Sequence, residues 1–266
     1  MGLALGPGRP GWHIECSAMS MDALGETFDI HGGGSDLKFP HHENEIAQSE
    51  CVTGKEFAKV WMHTGSLRID DQKMSKSLKN FITIKEALNE NASEVLRFFL
   101  ISSHYRSPLN YSDEGLKEAK NSLDRLYNSL QELSYETDEH IPTEYSGKFH
   151  DAMQDDFNSP LAISVLFEMV KEINILKKED KLTEASILAS ELVSLSNILG
   201  ILLDDPENYF TSGIDLSNQD IEAAIEIRNK ARKDKDFELS DKIRDDLLKK
   251  GITLEDKGTK TIWKKS

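Results

Sequence analysis

Several features are scarce in this sequence, and each absence narrows its class. No apolar run approaches the roughly 20 residues that a membrane-spanning helix needs, so we expect no membrane contact. Only two cysteines occur in 266 residues, which excludes a disulfide framework and favours a reduced, cytoplasmic setting. The Gly- and Pro-rich start lacks the pattern of a signal peptide. The net charge of −15 argues against a protein that coats nucleic acid indiscriminately.

Charge and hydrophobic periodicity divide the chain into regions. Residues 221–266 hold 13 Lys and Arg against 10 Asp and Glu, so a basic end follows an acidic body and permits a local nucleic-acid contact. The predicted fold class is α/β plus all-α. The predicted divisions are an α/β part at 1–80, a connective helical region at 81–111, a helical bundle at 112–205, a linker at 206–219 and a small mixed module at 220–266.

The first region is predicted to alternate short strands with helices. Residues 12–16 and 27–31 are predicted as strands, and 60–63 as a third. Pro40 suits the first turn of a helix that runs to about Cys51. Further on, apolar residues recur at three- and four-residue intervals behind Ser112, and similar helices are predicted from Ser159 and to Gly200. The final module is predicted as two helices and a hairpin around 257–258.

The segment His31–Glu45 carries the most chemistry. His41 and Glu45 lie four residues apart, so a helix places them on one face, whereas His42 and Glu43 are expected to point elsewhere. Cys16, at the end of the predicted upstream strand, is able to approach that face, and Cys, His and Glu all bind zinc. The alternative is an ordinary His–Glu surface pair beside a small buried cysteine.

A second set of residues has the chemistry of a phosphate site. Lys73 and Lys76 carry two ammonium groups on a polar loop, and such charges stabilise phosphates. Three glycines at 32–34 allow close approach of a ligand, and Asp36 is able to accept ribose hydroxyls. The alternatives are a solvated basic turn, a flexible glycine turn and a helix-capping aspartate.

Taken together, these motifs resemble a known family. Gly11-Trp12-His13-Ile14-Glu15-Cys16-Ser17, the Gly-rich His-His-Glu-Asn-Glu segment and Lys73-Met74-Ser75-Lys76-Ser77 are similar to the cysteinyl-tRNA synthetases, which are class I aminoacyl-tRNA synthetases. The resemblance implies the C-terminal part of a Rossmann-like catalytic domain, a helical bundle of the tRNA-binding type and an anticodon-binding module. It implies ATP-dependent activation of cysteine, transfer to tRNA(Cys), a monomer, and Zn²⁺ and Mg²⁺ as metals.

The resemblance also assigns roles to particular residues. Cys16, His41 and Glu45 match zinc ligands, and this zinc binds the thiolate of the substrate cysteine. Trp12 and His31 match the amino-acid pocket. The ATP-binding positions are Gly33, Gly34, Asp36 and Lys76, and the catalytic lysines are Lys73 and Lys76. Zinc prefers a thiolate to a hydroxyl, so a metal supplies the selectivity against serine that pocket size alone cannot.

The terminal module has candidate contacts to the anticodon. Arg232 donates to guanine acceptors, Asp241 and Asp256 accept from base amino groups, and Trp263 stacks on an unpaired base. The alternatives are a surface pair between Arg232 and Asp241, and a structural Trp263 in the core of the module.

The sequence also departs from the family. It contains no His-x-Gly-His motif and only three of the four expected zinc ligands, so we expect the isolated chain to be inactive. A non-catalytic zinc- and tRNA-binding fragment is one alternative. The related ligase that joins cysteine to an aminosugar is another, although the long basic tail argues against it.

Overall fold

A computed structural model describes residues 8–69, 72–74, 81–136, 142–211, 218–249, 251–257 and 260–265. Among these residues, no helix is both long and apolar enough to cross a membrane. The helices are α1 Trp12–Leu24, α2 Glu43–Thr53, α3 Ile84–Glu90, α4 Ser93–Ile101, α5 Asp113–Leu130, α6 Glu144–Gln154, α7 Ser159–Lys178, α8 Leu182–Ile198, α9 Pro206–Thr211, α10 Asn218–Lys233 and α11 Phe237–Lys249. The strands are β1 Phe28–Gly34, β2 Ala58–Thr64, β3 Leu67–Ile69, β4 Gln72–Lys73, β5 Leu109–Tyr111, β6 Ile252–Lys257 and β7 Lys260–Lys265.

Two parallel strands form the base of the first region. β1 and β2 pair in parallel, and the crossover between them carries α2. In this register His31 lies beside Trp61, and Gly33 lies beside His63. Because side chains alternate across a strand, these four residues share one face of the sheet. The predictions of strands at 27–31 and 60–63 are confirmed.

The predicted strand at residues 12–16 is wrong, because this segment is the start of helix α1. Cys16 therefore lies in the second turn of a helix and not at a strand end. These five residues alternate apolar and polar side chains, and so short an alternation does not distinguish a strand from a helix. The residues that follow, 17–24, include Ala, Met and Leu, which are good helix formers, and α1 continues through them until Gly25.

The helical bundle holds the main core. Ser112 caps α5 by accepting from the N–H of Gly115, as predicted, and Asn158 caps α7 in the same way through Leu161. The core residues of α5, α7 and α8 face one another at helical spacing; fully buried examples are Leu123, Leu126, Leu166, Met169, Ile173 and Leu192. The apolar periodicity thus indicated the bundle correctly.

The prediction of a linker at 206–219 is wrong for its first part. Residues 206–211 form α9, and Phe210 is buried in the bundle core. Tyr209 stacks on the buried Tyr127 with ring centroids 3.8 Å apart. The polar composition around Pro206 concealed this short helix, because two aromatic residues suffice to anchor it.

The terminal module has a small core of its own. Helices α10 and α11 pack together, and β6 pairs with β7 in an antiparallel hairpin, as predicted. Ile221, Ile225, Leu247 and Ile252 are buried between them. The wider division of the chain into five regions stays a prediction.

Candidate metal and nucleotide site

Three elements bring the candidate metal ligands together. Helix α1 carries Cys16, and α2 carries Glu45. His41 lies in a single wide turn, Lys38–His42, that leads directly into α2. Residues far apart in sequence therefore converge because α1 packs against α2.

Cys16, His41 and Glu45 have a geometry that fits a metal. One ligand atom from each lies within 4.8 Å of the others. His41 and Glu45 are buried, and Nε2 of His41 is 3.2 Å from Oε1 of Glu45. That carboxylate oxygen is buried and has no hydrogen-bond partner in the described chain. A buried orphaned oxygen is costly, and a thiol, an imidazole and a carboxylate are a donor set that suits zinc.

The same carboxylate belongs to a second group. Nε2 of His31 is 2.7 Å from Oε2 of Glu45, and His31, His42 and Glu45 also lie within reach of a common ion. His42 was expected to point away, and that expectation is wrong. Residues 38–42 form a wide turn with Phe39 in an extended conformation, so regular helical geometry does not apply to them.

Two histidines that the sequence analysis did not use complete this cluster. Nδ1 of His13 is 2.7 Å from Nδ1 of His41, and Nδ1 of His42 is 2.9 Å from Nε2 of His63. His13 is three residues before Cys16, so interpreting the segment as a helix would have placed both on one side. For His63, the signal was the alternation of β2 together with the parallel pairing of β1.

The environment shifts several pKa values in the cluster. Burial and the neighbouring Glu45 carboxylate raise the pKa of the Cys16 thiol. Burial, followed by the nearby His31, lowers the pKa of His42. Burial also lowers the pKa of His63, with Lys38 as a further cause. His42 and His63 therefore favour the neutral imidazole, the form in which histidine binds a metal.

The predicted amino-acid pocket residues both border this cluster. Trp12 stacks on His41 with ring centroids 4.2 Å apart and is more than half exposed. His31 lies between Glu45 and the Trp61 ring, whose centroid is 4.6 Å away. An exposed indole beside the donor set provides a surface for a small ligand.

The predicted nucleotide residues lie at the end of β1. A Cβ at Gly33 would come within 2.7 Å of the His42 ring, and a Cβ at Gly34 would come within 2.5 Å of the Asp36 carboxylate. Glycine at these positions thus permits close packing around the turn. Asp36 is exposed. Lys73 lies in β4, and Lys76 lies outside the described residues.

In the terminal module, the structure gives Asp256 an internal role. Its carboxylate accepts two bonds of 2.9 Å from the buried Arg228 and one of 2.7 Å from Thr261. Arg232 donates to it at 2.5 Å. These bonds, chiefly those from Arg228, lower the pKa of Asp256. A carboxylate engaged in this way has little capacity left for a base amino group, and its contact with the anticodon stays a prediction.

The remaining module residues are placed as follows. Arg232 forms an ion pair with Asp256 and not with Asp241, so the alternative of an Arg232–Asp241 surface pair is wrong. Asp241 is exposed. Trp263 packs against the module core and donates its indole N–H to Glu222 at 3.1 Å. The base contacts of Arg232, Asp241 and Trp263 stay predictions. The sequence analysis did not identify the buried Arg228, because its position in the sequence gives no indication that an arginine is buried there.

Comparison with known families identifies the class of protein. The family described as "tRNA synthetases class I (C) catalytic domain" matches residues 3–121, and the "DALR domain" matches residues 148–204. The first match contains the whole Cys–His–Glu cluster. The fold is thus part of a class I aminoacyl-tRNA synthetase catalytic domain followed by a helical domain.

Individual relatives narrow this further. "Cysteine--tRNA ligase" of Methylococcus capsulatus is 54% identical over 98% of this chain and 57% of the relative. That of Hahella chejuensis is 53% identical over 98% of this chain and 58% of the relative. The chain is a homologue of these cysteine--tRNA ligases over nearly its whole length, and it spans just over half the length of these relatives.

Among solved structures, a ternary complex of LeuRS, tRNA and LeuAMS from Agrobacterium radiobacter aligns with 76% of this chain and 35% of that chain. Its sequence identity is 16% and the TM-score is 0.47.

Proposed function

We propose that this chain functions as part of a cysteine--tRNA ligase. Such an enzyme activates cysteine with ATP to cysteinyl adenylate and transfers the cysteinyl group to tRNA(Cys). The observation that carries this proposal is the convergence of Cys16, His41 and Glu45, with the orphaned oxygen of Glu45 directed at His41. Relatives of this name match nearly the whole chain, including the terminal module.

Cys16, His41 and Glu45 would hold the zinc. When bound there, zinc supplies a soft Lewis acid that binds the thiolate of substrate cysteine and discriminates against the hydroxyl of serine. The chain's own residues prepare this site. His31 fixes one oxygen of Glu45, and the stacked Trp12 limits the rotation of His41.

ATP would lie beside this site, at the end of β1. Gly33 and Gly34 allow the adenosine to approach the backbone, and Asp36 is exposed there to accept ribose hydroxyls. Lys73 and Lys76 would stabilise the phosphate charge that develops in the transition state, with Mg²⁺ accompanying the ATP. The protein would act in the cytoplasm as a monomer.

Cobalt substitution tests this proposal through a spectroscopic signal. Co²⁺ adopts the coordination of zinc but absorbs visible light, and a thiolate ligand adds a charge-transfer band. We expect Co²⁺ bound to the chain to change its spectrum on addition of cysteine but not of serine. A failure to bind Co²⁺, or an equal response to serine, would overturn the proposal.

A second candidate is a zinc- and tRNA-binding chain without catalytic activity of its own. The observation in its favour is that only three ligands converge among the described residues, and the sequence has no His-x-Gly-His motif. The ligase of aminosugars is disfavoured, because the relatives named cysteine--tRNA ligase match the terminal module as well.

A further inference from the structure

The turn between α6 and α7 contacts the turn that precedes β5. Three consecutive residues of the second turn, His104, Tyr105 and Arg106, approach the carboxylate of Asp156, which lies 50 residues beyond Arg106. The Tyr105 hydroxyl donates to Oδ1 at 2.7 Å, and the Arg106 guanidinium donates from Nε to Oδ2 and from Nη2 to Oδ1 at 3.0 Å. Nε2 of His104 lies 3.8 Å from Oδ2. A bidentate arginine–carboxylate pair inside such a network fixes geometry better than an ordinary surface ion pair does.

The backbone of the α6–α7 turn has a rarely used conformation. Asp156 and Phe157 have φ values of 53° and 55°, in the left-handed region. Aspartate tolerates this region, whereas a bulky residue such as Phe157, which is 52% exposed, is an outlier there. The N–H of Phe157 donates to the carbonyl of Met153, and the N–H of Asn158 donates to that of Ala152. Strain of this kind persists only where surrounding contacts maintain it, and it is concentrated at functional positions.

The turn that receives Asp156 is in direct backbone contact with the end of β2. The N–H of Gly65, which follows β2, donates to the carbonyl of Tyr105 at 2.7 Å. A Cβ at Gly65 would come within 2.1 Å of the carbonyl oxygen of Ser107, so a larger residue would separate the two backbones. A movement of the turn at 104–107 therefore displaces the loop between β2 and β3.

Beyond this loop lie β3 and β4, and β4 carries Lys73. The N–H of Leu109 donates to the carbonyl of Ser66 at 3.1 Å, and β3 then pairs in parallel with β5. On its other side β3 pairs with β4, where Arg68 lies opposite Lys73. Strand β2 is already held along its length by β1. Because β3 and β4 have only three and two residues, their placement depends on the neighbours that hold them.

From these contacts we infer that Asp156 is a positioning residue for the reaction, which acts from the bundle through the turn at 104–107 on the strand pair that carries Lys73. The inference rests on the proposed function, in which Lys73 stabilises the charge that develops on the phosphates. Displacing a catalytic group by about 1 Å lowers a rate by up to about 100-fold. Loosening the strand that carries Lys73 therefore slows the reaction without removing a reacting group.

Hydrogen exchange in the chain itself tests the mechanical part of the inference. Asp156→Asn removes the charge and keeps a residue type that tolerates the left-handed backbone, and Asp155→Asn is the matched control at the neighbouring exposed aspartate. We expect Asp156→Asn to accelerate exchange at the amides of Gly65 and Leu109 by about fivefold or more, with the amides of α5 and α8 unchanged. Equal exchange in the two variants, or a uniform acceleration that includes α5 and α8, would overturn the inference.

A double-variant comparison in a longer active protein that contains this chain tests the catalytic part. Alone, Asp156→Asn should lower the kcat of cysteine-dependent pyrophosphate exchange about tenfold and change the KM for cysteine by less than about twofold. In a Lys73→Ala background, the same change should lower the remaining rate by less than about twofold, because the strand then carries no group to position. Equal proportional losses in both backgrounds would indicate general destabilisation and overturn the positioning role.

The outcomes for Asp156 and for the proposed function are separable. If the Co²⁺ spectrum responds to cysteine alone while Asp156→Asn matches Asp155→Asn in exchange and in rate, the positioning role is wrong and the ligase proposal stands. If the longer protein forms no adenylate from cysteine, the ligase proposal is wrong and the positioning role is overturned with it, whatever the exchange at Gly65 and Leu109.

Discussion

His31 and Glu45 form the central contact of the site, with Nε2 of the imidazole 2.7 Å from Oε2 of the buried carboxylate. This bond satisfies one oxygen of Glu45, whereas the other, Oε1, lies beside His41 and has no hydrogen-bond partner among the residues that the structure describes. His31 thus orients the carboxylate through Oε2, and Oε1 faces His41, the neighbouring candidate metal ligand.

Replacing Glu45 with Gln should weaken zinc binding by at least about tenfold, because the carboxamide removes an anionic ligand from a buried position. The affinity is measured by competition with a chromophoric chelator. Glu43→Gln is the matched control, since Glu43 is exposed and only two residues away. Equal zinc affinity in the Glu45 variant and the control would remove Glu45 from the ligand set.

Replacing His31 with Gln should lower zinc affinity by about 10- to 100-fold, the range typical of residues that orient a ligand. If His31 lines the amino-acid pocket, the Co²⁺ spectrum of the variant should also change on addition of serine and not only of cysteine. His150→Gln is the control, since this exposed histidine lies on α6. Unchanged affinity and an unchanged cysteine response would contradict both roles.

The isolated chain should show no cysteine-dependent exchange of pyrophosphate with ATP. The sequence has no His-x-Gly-His motif to hold the phosphates, and Lys76 alone does not position them. In a longer active protein that contains this chain, Lys76→Ala should reduce adenylate formation far more than cysteine binding. If the isolated chain exchanged pyrophosphate with ATP faster than its own Lys76→Ala variant, the expectation that it is inactive would be wrong.

The Asp256–Arg228 contact should make the terminal module sensitive to acid. The folded-state pKa of Asp256 is lowered from its ordinary value of 3.8, so its stabilisation is complete above about that pH and is lost as the pH falls below it. Asp256→Asn should cost about 2 to 4 kcal/mol at neutral pH, because the buried Arg228 loses its carboxylate.

Hydrogen exchange of amides in 218–249 and 251–257 measures this loss, and the exposed Asp245→Asn provides the control. The difference between wild type and the Asp256 variant should shrink in acid. A constant difference across the pH range would contradict the electrostatic account.

Tyr127→Phe should destabilise the bundle by about 1 to 3 kcal/mol, because the fully buried hydroxyl donates to the Glu94 carboxylate at 3.0 Å. Burial raises the pKa of Glu94, so losing a donor leaves a carboxylate that is costly to ionise. Urea unfolding followed by circular dichroism measures the shift. Tyr145→Phe, at a half-buried tyrosine of α6, should have a smaller effect.

Local patterns in the sequence were sufficient for the bundle and the terminal hairpin. The spacing of Leu116, Leu123 and Leu130 on α5 needs only the helical period and one core, and Ser112 marks its start. The α1 segment could not be assigned in this way, because the short alternation at residues 12–16 is compatible with both a strand and a helix. Packing of α1 against α2 decided between them.

For the site, the sequence by itself determined the available chemistry: a cysteine, a histidine and a glutamate as donors that suit zinc, glycines beside an aspartate, and two lysines three residues apart. Only the tertiary structure decided the neighbours. It brought His13, His42 and His63 next to the candidate metal ligands and paired Asp256 with Arg228. The reason is physical: donor chemistry is a property of each side chain, whereas distance between side chains depends on how helices and strands far apart in sequence pack.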